Sequence, residues 1–287
     1  MHVYTVSRMQ AGEPSRTAWA AAFHRAAHQV LEEGRIFADP LALRILSEDA
    51  ARQVEERASD RRMRIFIAVR TRFAEDSLAA ACERGLRQLV VLGAGLDTYA
   101  YRGALRDRLQ IWEVDHPATQ AWKRQRLADA GIAAPSNLAF APVDFERETL
   151  AGGLAAAGFD PRRQSFFTWL GVVPYLTEDA IRSTLSFIAK LPGGAQVVFD
   201  YADPPESLTA EMRAAHELRA ARVAGAGEAF RSYFDADAMR RKLLDLGFRE
   251  VEDLGPRQIA EHYFPSRVGP MPEKGGHVVR AAHTPTH

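Results

Sequence analysis

The sequence predicts an α/β fold in which a seven-stranded, mostly parallel sheet carries helices on both faces. From residue 85 onward, short apolar runs alternate with helical segments, which is typical of a parallel sheet wrapped by helices. The first apolar run, 88–93, ends abruptly at glycine, as strands do before a turn that approaches a ligand. The chain has 287 residues, of which 47% are hydrophobic, and is long enough to bury one large core and a cap.

Residues 1–84 predict an N-terminal helical cap that precedes the sheet. Residues 15–46 have a helical pattern with a break at Gly34, and residues 50–82 predict a second helix that is rich in arginine in its first half. The sheet domain then spans residues 85–287. Its strands are predicted at 88–93, 110–115, 138–143, 165–173, 195–201, 248–254 and 276–282.

The segment 203–233 interrupts the alternation of strands and helices. Leu208, Met212, Ala215 and Leu218 recur there at helical spacing, and a glycine-containing stretch follows them. This pattern fits a helical lid over the carboxyl edge of the sheet. It fits a surface helix packed on the domain equally well.

Charge and cysteine content narrow the class of protein. Lys and Arg number 37 together, as do Asp and Glu, so no net charge recruits nucleic acid or an anionic membrane. The single cysteine, Cys82, fits a core position in a reducing cytosol, and the chain has no signal core or run of about 18 apolar residues. We expect a cytoplasmic protein without nucleic-acid or membrane partners. The spacing of His277, His283 and His287 matches no metal site, so we expect no metal.

The turn after the first strand predicts an adenosine-containing cofactor. Gly93 and Gly95 are spaced by one residue, and the next strand ends at Asp115, 22 positions after Gly93. An acid at this distance holds the ribose hydroxyls in nucleotide-binding sheets. The dinucleotide pattern has a third glycine where this chain has Thr98, and Asp97 beside it would repel a diphosphate. Asp97 suits the cationic amino-acid end of S-adenosylmethionine, which is therefore favoured over NAD.

Arg70 is a candidate ligand for the carboxylate of such a cofactor. Phe66, Arg70 and Phe73 share one stripe of a helix, and an arginine on a buried stripe needs an anion. A planar guanidinium binds a carboxylate with two hydrogen bonds. The alternative is that Arg70 reaches the surface. Arg72 faces elsewhere and has Asp76 within helical reach, so we expect a solvated ion pair.

Several stretches resemble the leucine carboxyl methyltransferase-like family of class I S-adenosylmethionine-dependent methyltransferases. The similar segments are Pro14–Ala18, Phe37–Pro40, Val69–Phe73, Val91–Arg102, Trp112–Pro117, Thr168–Leu176 and His262–Arg267. The resemblance implies a Rossmann-like fold, S-adenosylmethionine as cofactor, and a substrate covered by the N-terminal helices and the insertion. The family often has Glu-Gly where this chain has Leu170 and Gly171, which removes a possible partner of the cofactor's ammonium group.

The motifs and the resemblance together assign candidate cofactor residues. Asp144 would accept a hydrogen bond from the adenine amino group and Phe145 would pack on the adenine ring, although Asp144 also reads as an ordinary surface acid. The full set is Arg70, Gly93, Ala94, Gly95, Asp97, Asp115, His116, Asp144, Phe145 and Leu170.

The predicted activity is O-methyl transfer to a carboxylate or hydroxyl of a small molecule or peptide, including natural-product tailoring. A carboxylate is ionised at neutral pH and needs no base, whereas a phenol benefits from one. Tyr175, His262 and Tyr263 are the candidate catalytic residues, with His28 as a further candidate base. Two alternatives remain: a cofactor-binding protein without chemistry, which Leu170 keeps open, and an NAD-dependent oxidoreductase.

Overall fold

The seven predicted strands form one sheet with the order β3-β2-β1-β4-β5-β7-β6. The pairs among β1 to β5 are parallel, and β7 runs antiparallel to both β5 and β6. The strands are β1 Gln88–Leu92, β2 Gln110–Asp115, β3 Leu138–Pro142, β4 Ser165–Trp169, β5 Ala195–Ala202, β6 Glu250–Leu254 and β7 Gly276–His283. The mostly parallel, Rossmann-like α/β fold is confirmed.

The computed structural model describes residues 15–46, 54, 60–144, 147–225, 227–266, 269 and 271–284. Helices cover both faces of the sheet. The helices are α1 Arg16–Leu31, α2 Ala42–Leu46, α3 Arg61–Glu83, α4 Tyr99–Arg102, α5 Pro117–Asp129, α6 Leu150–Ala156, α7 Glu178–Ala189, α8 Ala210–Gly225, α9 Ala236–Leu246 and α10 Pro256–Tyr263.

The alternation of side chains along β1 divides the core into two clusters. Leu89 and Val91 belong to a cluster that contains residues of α1 and α3, whereas Val90 belongs to a cluster with residues of α7 and α9. Every residue of β1 is buried, as expected for a central strand that helices cover on both faces. Since both faces are covered, the exposed parts of the sheet are its edges.

The fourth strand is shorter than predicted. β4 ends at Trp169, whereas the apolar run predicted a strand to residue 173. Gly171 adopts a left-handed conformation with φ of 74°, which turns the chain out of the sheet. The apolar residues that follow form a one-turn 3-10 helix, Val173–Tyr175, at the carboxyl edge of the sheet.

The predicted break in the N-terminal helix is confirmed. Glu33 and Gly34 have positive φ angles of 55° and 61°, and α1 ends just before them. The next long helix, α3, begins after Asp60, whose carboxylate accepts a hydrogen bond from the Met63 amide at 3.0 Å. The start of this helix was predicted at residue 50, and 47–53 and 55–59 lie outside the described residues.

The insertion contains the predicted helix, α8, and its apolar stripe is half-buried at Met212 but does not face the protein further along the helix. Leu218 is 71% exposed and Ala215 is exposed as well. The helix instead contacts the rest of the chain through polar side chains. His216 lies 2.9 Å from the Tyr233 hydroxyl, and Arg219 forms an ion pair with Asp60 at 3.4 Å. The spacing thus predicted the helix correctly, but only the first half of its apolar stripe is partly covered.

Membrane-spanning helices and metal sites are both absent from the described part of the chain. Among the residues that the structure describes, no helix combines the length and apolarity that a bilayer crossing requires. Within the same residues, no group of three or more His, Cys, Asp or Glu side chains is arranged to hold a metal ion. Cys82 is buried in the core on α3, where burial raises the pKa of its thiol.

A buried histidine braces the strands from which the insertion departs. His277 on β7 bonds to Asp203 through Nε2 at 3.0 Å and to Asp253 through Nδ1 at 2.9 Å. Its ring stacks on Tyr201, with ring centroids 4.7 Å apart. Burial disfavours the charged ring, but hydrogen bonds to the two carboxylates outweigh it and raise the pKa of His277 to about 9. The ring is therefore cationic at neutral pH.

We predict that His277 makes the stability of the fold depend on pH. Its folded pKa lies above the ordinary 6.5, so its contribution is complete below about pH 6.5 and is lost as the pH rises through 9. The contribution is on the order of 3 kcal/mol. Urea unfolding of the wild type and of His277→Gln between pH 6 and 10 measures it. The variant should be less stable near neutral pH and should lose less stability across this range.

The matched control for this prediction is His262→Gln, because His262 is exposed and lies outside the network. Its stability profile should follow that of the wild type. An equal loss of stability with pH in the wild type and in His277→Gln would contradict the prediction.

Candidate active site

A cavity of about 430 Å³ lies at the carboxyl ends of β1 to β4. This is the edge where open α/β sheets bind ligands. The loops after the strands form its floor, Arg70 on α3 contributes to one wall, and the first turn of α1 and the loop 227–231 cover it. The predicted site residues that line it are Arg70, Gly93, Ala94, Gly95, Asp97, Asp115, His116, Asp144, Leu170 and Tyr175.

Two of the predicted residues, His262 and Tyr263, do not line this cavity. Phe145 lies outside the described residues. His262 and Tyr263 line a separate groove of about 620 Å³, together with residues at the amino ends of β4 and β5. β6 runs opposite to β7 and therefore parallel to β5, so α10 begins at the carboxyl edge of the sheet and its last residues return toward the amino edge. The structure therefore does not bring His262 and Tyr263 together with Tyr175 and the predicted cofactor residues.

The loop after β1 needs both of its glycines. Gly93 and Gly95 have positive φ angles of 62° and 44°. A Cβ on Gly93 would lie 2.4 Å from Val172 Cγ2, and a Cβ on Gly95 would lie 2.9 Å from the Cβ of Ala18. The loop is therefore packed between the segment after β4 and the first turn of α1, and its backbone faces the cavity.

Asp115 braces this loop from the end of β2. Its carboxylate accepts hydrogen bonds from the amides of Gly95, at 2.5 Å, and His116, at 2.7 Å. Burial raises the pKa of Asp115, and the two amide hydrogen bonds act against that rise. A carboxylate offers about four acceptor positions, so Asp115 retains acceptors for ligand hydroxyls.

His116 and Asp97 also have local partners. The Nδ1 atom of His116 accepts a hydrogen bond from the Ala118 amide at 3.2 Å and caps α5. The carboxylate of Asp97 accepts one from the Tyr99 amide at 2.8 Å. Asp97 still lines the cavity, where its charge suits a cationic ligand.

Arg70 is buried, and its first partner is an acid within the chain. Its Nη1 atom donates to Asp200 Oδ2 at 2.7 Å, and Asp200 Oδ1 accepts a hydrogen bond from the Gly171 amide at 2.6 Å. Arg70 is 8% exposed, and its Nε has no hydrogen-bond partner among the described residues. Arg70 also lines the cavity, so it combines a structural ion pair with a surface that faces the ligand space.

Sequence reasoning predicted that Arg70 needs an anion and did not identify Asp200. The available signal was a lone acid within the apolar strand β5, where an unpaired carboxylate would be costly. Arg72, by contrast, is paired as predicted: its Nε lies 2.8 Å from Asp76 on the exposed side of α3.

The segment Leu170–Gly171 is shaped by the same guanidinium. A Cβ on Gly171 would lie 2.7 Å from Arg70 Nη2, and the residue has a left-handed backbone. The side chain of Leu170 lines the cavity and is apolar, so this position contributes no charge to the cavity wall. The carboxylates on the described cavity wall are Asp97, Asp115, Asp144 and Glu228.

Tyr175 is the candidate catalytic residue that does line the cavity. Its ring packs on Phe230, with centroids 5.2 Å apart. Burial raises the pKa of Tyr175 to about 12, so its hydroxyl is protonated at neutral pH and acts as a hydrogen-bond donor. His28 is buried in α1 with its Nδ1 3.2 Å from Glu32, and it does not line the cavity.

Glu228 is a cavity residue that sequence reasoning missed. Its carboxylate accepts hydrogen bonds from Ser15, from the amide of Arg16 and from Thr17 at the start of α1. The capping rule identifies Ser15, since its hydroxyl accepts from the Ala18 amide at 3.1 Å. No local pattern identifies a partner more than 200 residues away.

Comparison with known proteins adds a family match. The family model for leucine carboxyl methyltransferase matches residues 18–189. YktD of Bacillus subtilis strain 168, which is named as an S-adenosyl-L-methionine-dependent methyltransferase, is 33% identical over 291 aligned residues that cover 90% of this chain and 94% of YktD. FRAAL3718 of Frankia alni, named in the same way, is 33% identical over 191 residues that cover 62% of this chain and 66% of that protein.

We predict that Arg70 contributes to cofactor binding and Arg72 does not. Arg70→Ala should weaken binding of S-adenosylmethionine by more than about tenfold, because a buried guanidinium at the cavity is lost. Arg72→Ala should change it less than about twofold, since its ion pair is exposed. Isothermal titration calorimetry on both variants measures the two constants.

Arg70→Lys serves as a second control, because it keeps a charge beside Asp200 and loses the planar fork. Thermal unfolding of each variant separates loss of binding from loss of fold. Equal affinities for Arg70→Ala and Arg72→Ala, with both variants folded, would contradict the prediction.

Proposed function

The chain belongs to the leucine carboxyl methyltransferase family and is an S-adenosylmethionine-dependent methyltransferase, and from this premise we propose that it methylates a carboxylate oxygen. The acceptor is a small molecule or the end of a peptide. The observation that carries the proposal is that Tyr175, the predicted catalytic residue that lines the cavity, keeps its proton and therefore donates a hydrogen bond instead of accepting a proton. The carboxylate of Glu228, which also lines the cavity, already accepts three hydrogen bonds.

The residues present fit an adenosyl cofactor. The glycine loop exposes backbone where a Cβ would be excluded, and Asp115 has acceptors left for two ribose hydroxyls. Arg70 has an unpartnered buried Nε beside the cavity, which supports a carboxylate ligand there. Asp97 would attract the ammonium group, and Asp144 would accept a hydrogen bond from the adenine amino group; both line the cavity.

When bound, S-adenosylmethionine would supply a methyl group from its sulfonium. Transfer of that methyl group leaves the sulfur of the cofactor as a neutral thioether. The contribution of the chain is to align the acceptor oxygen with the methyl carbon and to exclude water. A carboxylate is ionised at neutral pH, so no proton has to move. The Tyr175 hydroxyl would donate a hydrogen bond to the second acceptor oxygen and fix its direction. Asp115 and Arg70 would hold the two ends of the cofactor.

A hydroxyl acceptor is the competing version of this reaction. A phenol is about 0.1% ionised at pH 7 and would need a base in contact with it. The cavity offers Tyr175 as a donor and His116 as a helix cap, so the described wall favours the carboxylate. We further propose that the acceptor is a natural product and that the protein acts in the cytoplasm.

The test of acceptor chemistry is transfer of isotopically labelled methyl to an extract of small molecules and peptides, followed by mild alkali. A methyl ester hydrolyses in alkali, so the label should leave as volatile methanol. Label that stays in the product would mean an ether, or methyl on nitrogen or carbon, and would overturn the carboxylate assignment. Saturable cofactor binding without any transfer would indicate a protein without this chemistry.

We predict that Tyr175 acts as a hydrogen-bond donor. Tyr175→Phe should lower kcat/KM for the acceptor by about tenfold, which is the order of a hydrogen bond to a charged group, and leave the pH profile unchanged. The control is Tyr263→Phe, because burial also raises the pKa of Tyr263 to about 12 but the residue lies in the other groove.

The pH dependence of kcat/KM separates the two roles of Tyr175. A donor to a carboxylate gives a flat profile between about pH 6.5 and 9, since the phenol stays protonated and the acceptor stays ionised. A rise of about tenfold per pH unit in the wild type, abolished in Tyr175→Phe, would show that Tyr175 is a base.

A further inference from the structure

The carboxylate of Glu228 joins the two elements that cover the cavity. Ser15 Oγ donates to its Oε2 at 3.3 Å, the Arg16 amide donates to its Oε1 at 3.1 Å, and Thr17 Oγ1 donates to Oε2. Ser15, Thr17 and Glu228 line the cavity. The start of α1 and the loop after α8 are thereby joined through one charged group.

Backbone hydrogen bonds at the end of α8 hold Glu228 in place. The amide of Gly227 donates to Ala224 at 2.9 Å, and that of Glu228 donates to Val223 at 3.1 Å, so α8 ends in a hydrogen-bonded turn. Gly227 has a φ of 85°, a backbone angle that residues with a side chain rarely adopt. The turn directs the chain from the end of α8 to the first turn of α1.

The carboxyl end of the loop 227–231 is fixed to the segment that follows β4. The Arg231 amide donates to the Pro174 carbonyl at 2.7 Å, and the Ser232 hydroxyl donates to the Val173 carbonyl at 2.9 Å. The loop 227–231 is therefore anchored at its carboxyl end by the segment after β4. At its amino end it meets the start of α1 through the side chain of Glu228.

The first turn of α1 also rests on the cofactor loop. Ala18 is so close to Gly95 that a Cβ there would lie 2.9 Å from the Ala18 Cβ. A movement of the α1 N-terminus would change the cover of the cavity and release Ala18 from Gly95, while the hydrogen bond to Asp115 would still hold the Gly95 amide. Glu228 is placed to hold that cover closed.

We propose that Glu228 is a latch that fastens the lid loop, residues 227–231, to the N-terminus of α1, and that its release admits and frees the cofactor. A carboxylate is favoured by the amide and hydroxyl donors at a helix start, and hydrogen bonds at a partly exposed site break and re-form reversibly. The inference rests on the use of S-adenosylmethionine and is independent of the identity of the acceptor.

The test measures the binding kinetics of S-adenosylhomocysteine by stopped-flow tryptophan fluorescence, without any acceptor. A latch slows entry and exit alike, so Glu228→Ala should raise both the association and the dissociation rate constants by more than about fivefold. The equilibrium constant should stay within about threefold of the wild type. Glu217→Ala, on the exposed side of α8, is the matched control and should leave both rates unchanged.

A second variant tests the latch from the other side. Thr17→Val removes one donor and keeps the shape of the side chain, so it should raise both rate constants in the same direction. The double variant should add little to Glu228→Ala, because the two residues share one interaction. Glu228→Gln keeps an acceptor oxygen and loses the charge, and should give intermediate rates.

Two outcomes would overturn the proposal. Unchanged rates in folded Glu228→Ala and Thr17→Val would mean that the contact does not gate the cavity. A rise in the dissociation rate alone, with affinity lost in proportion, would mean that Glu228 touches the ligand. Thermal unfolding checks the fold of each variant, and Thr17→Val carries the test if Glu228→Ala does not fold. Because no acceptor is present, failure of the carboxylate assignment leaves this result unaffected.

Discussion

The buried ion pair between Arg70 and Asp200 is the interaction on which the geometry of the cavity depends. It joins α3 to β5 across the sheet, and the same carboxylate holds the Gly171 amide. A buried charge without a partner is costly, so the three groups keep one arrangement. The helix before the sheet, the central strands and the turn after β4 therefore act as one unit. The position of Leu170 and of the loop that leads to Tyr175 follows from that unit.

Local patterns predicted much of the fold and the cofactor side of the cavity. The apolar runs gave the strands, and Gly93, Gly95 and Asp115 come together because the carboxyl ends of parallel strands share one edge. The pairing of Arg70 with Asp200 spans 130 positions and depends on sheet order, which no local pattern contains. Leu218 illustrates the same limit. A helical period predicts that apolar residues share one face of α8, but it does not predict which face the polar contacts of that helix hold against the protein.

The topology of the sheet separates His262 and Tyr263 from the cavity that Tyr175 lines. The segment resembles a family motif, and resemblance says nothing about which end of the sheet a helix occupies. α10 follows an edge strand, β6, and its end lies near the amino ends of β4 and β5. Chemical type alone made these two residues candidates, whereas the environment of Tyr175 gives it the role of a donor. Burial decides that role, since it favours the neutral phenol.

The order of the strands separates the glycine loop and its neighbouring acids from the insertion along the chain. Gly93, Asp115 and Asp144 follow β1, β2 and β3, which form one half of the sheet, whereas the segment 203–233 departs from β5 in the other half. Changes of length or composition in that crossover leave the first three strands and their turns intact. A lineage built on this sheet can therefore remodel the cover of the cavity through one connection, while the turns after the first three strands stay the same.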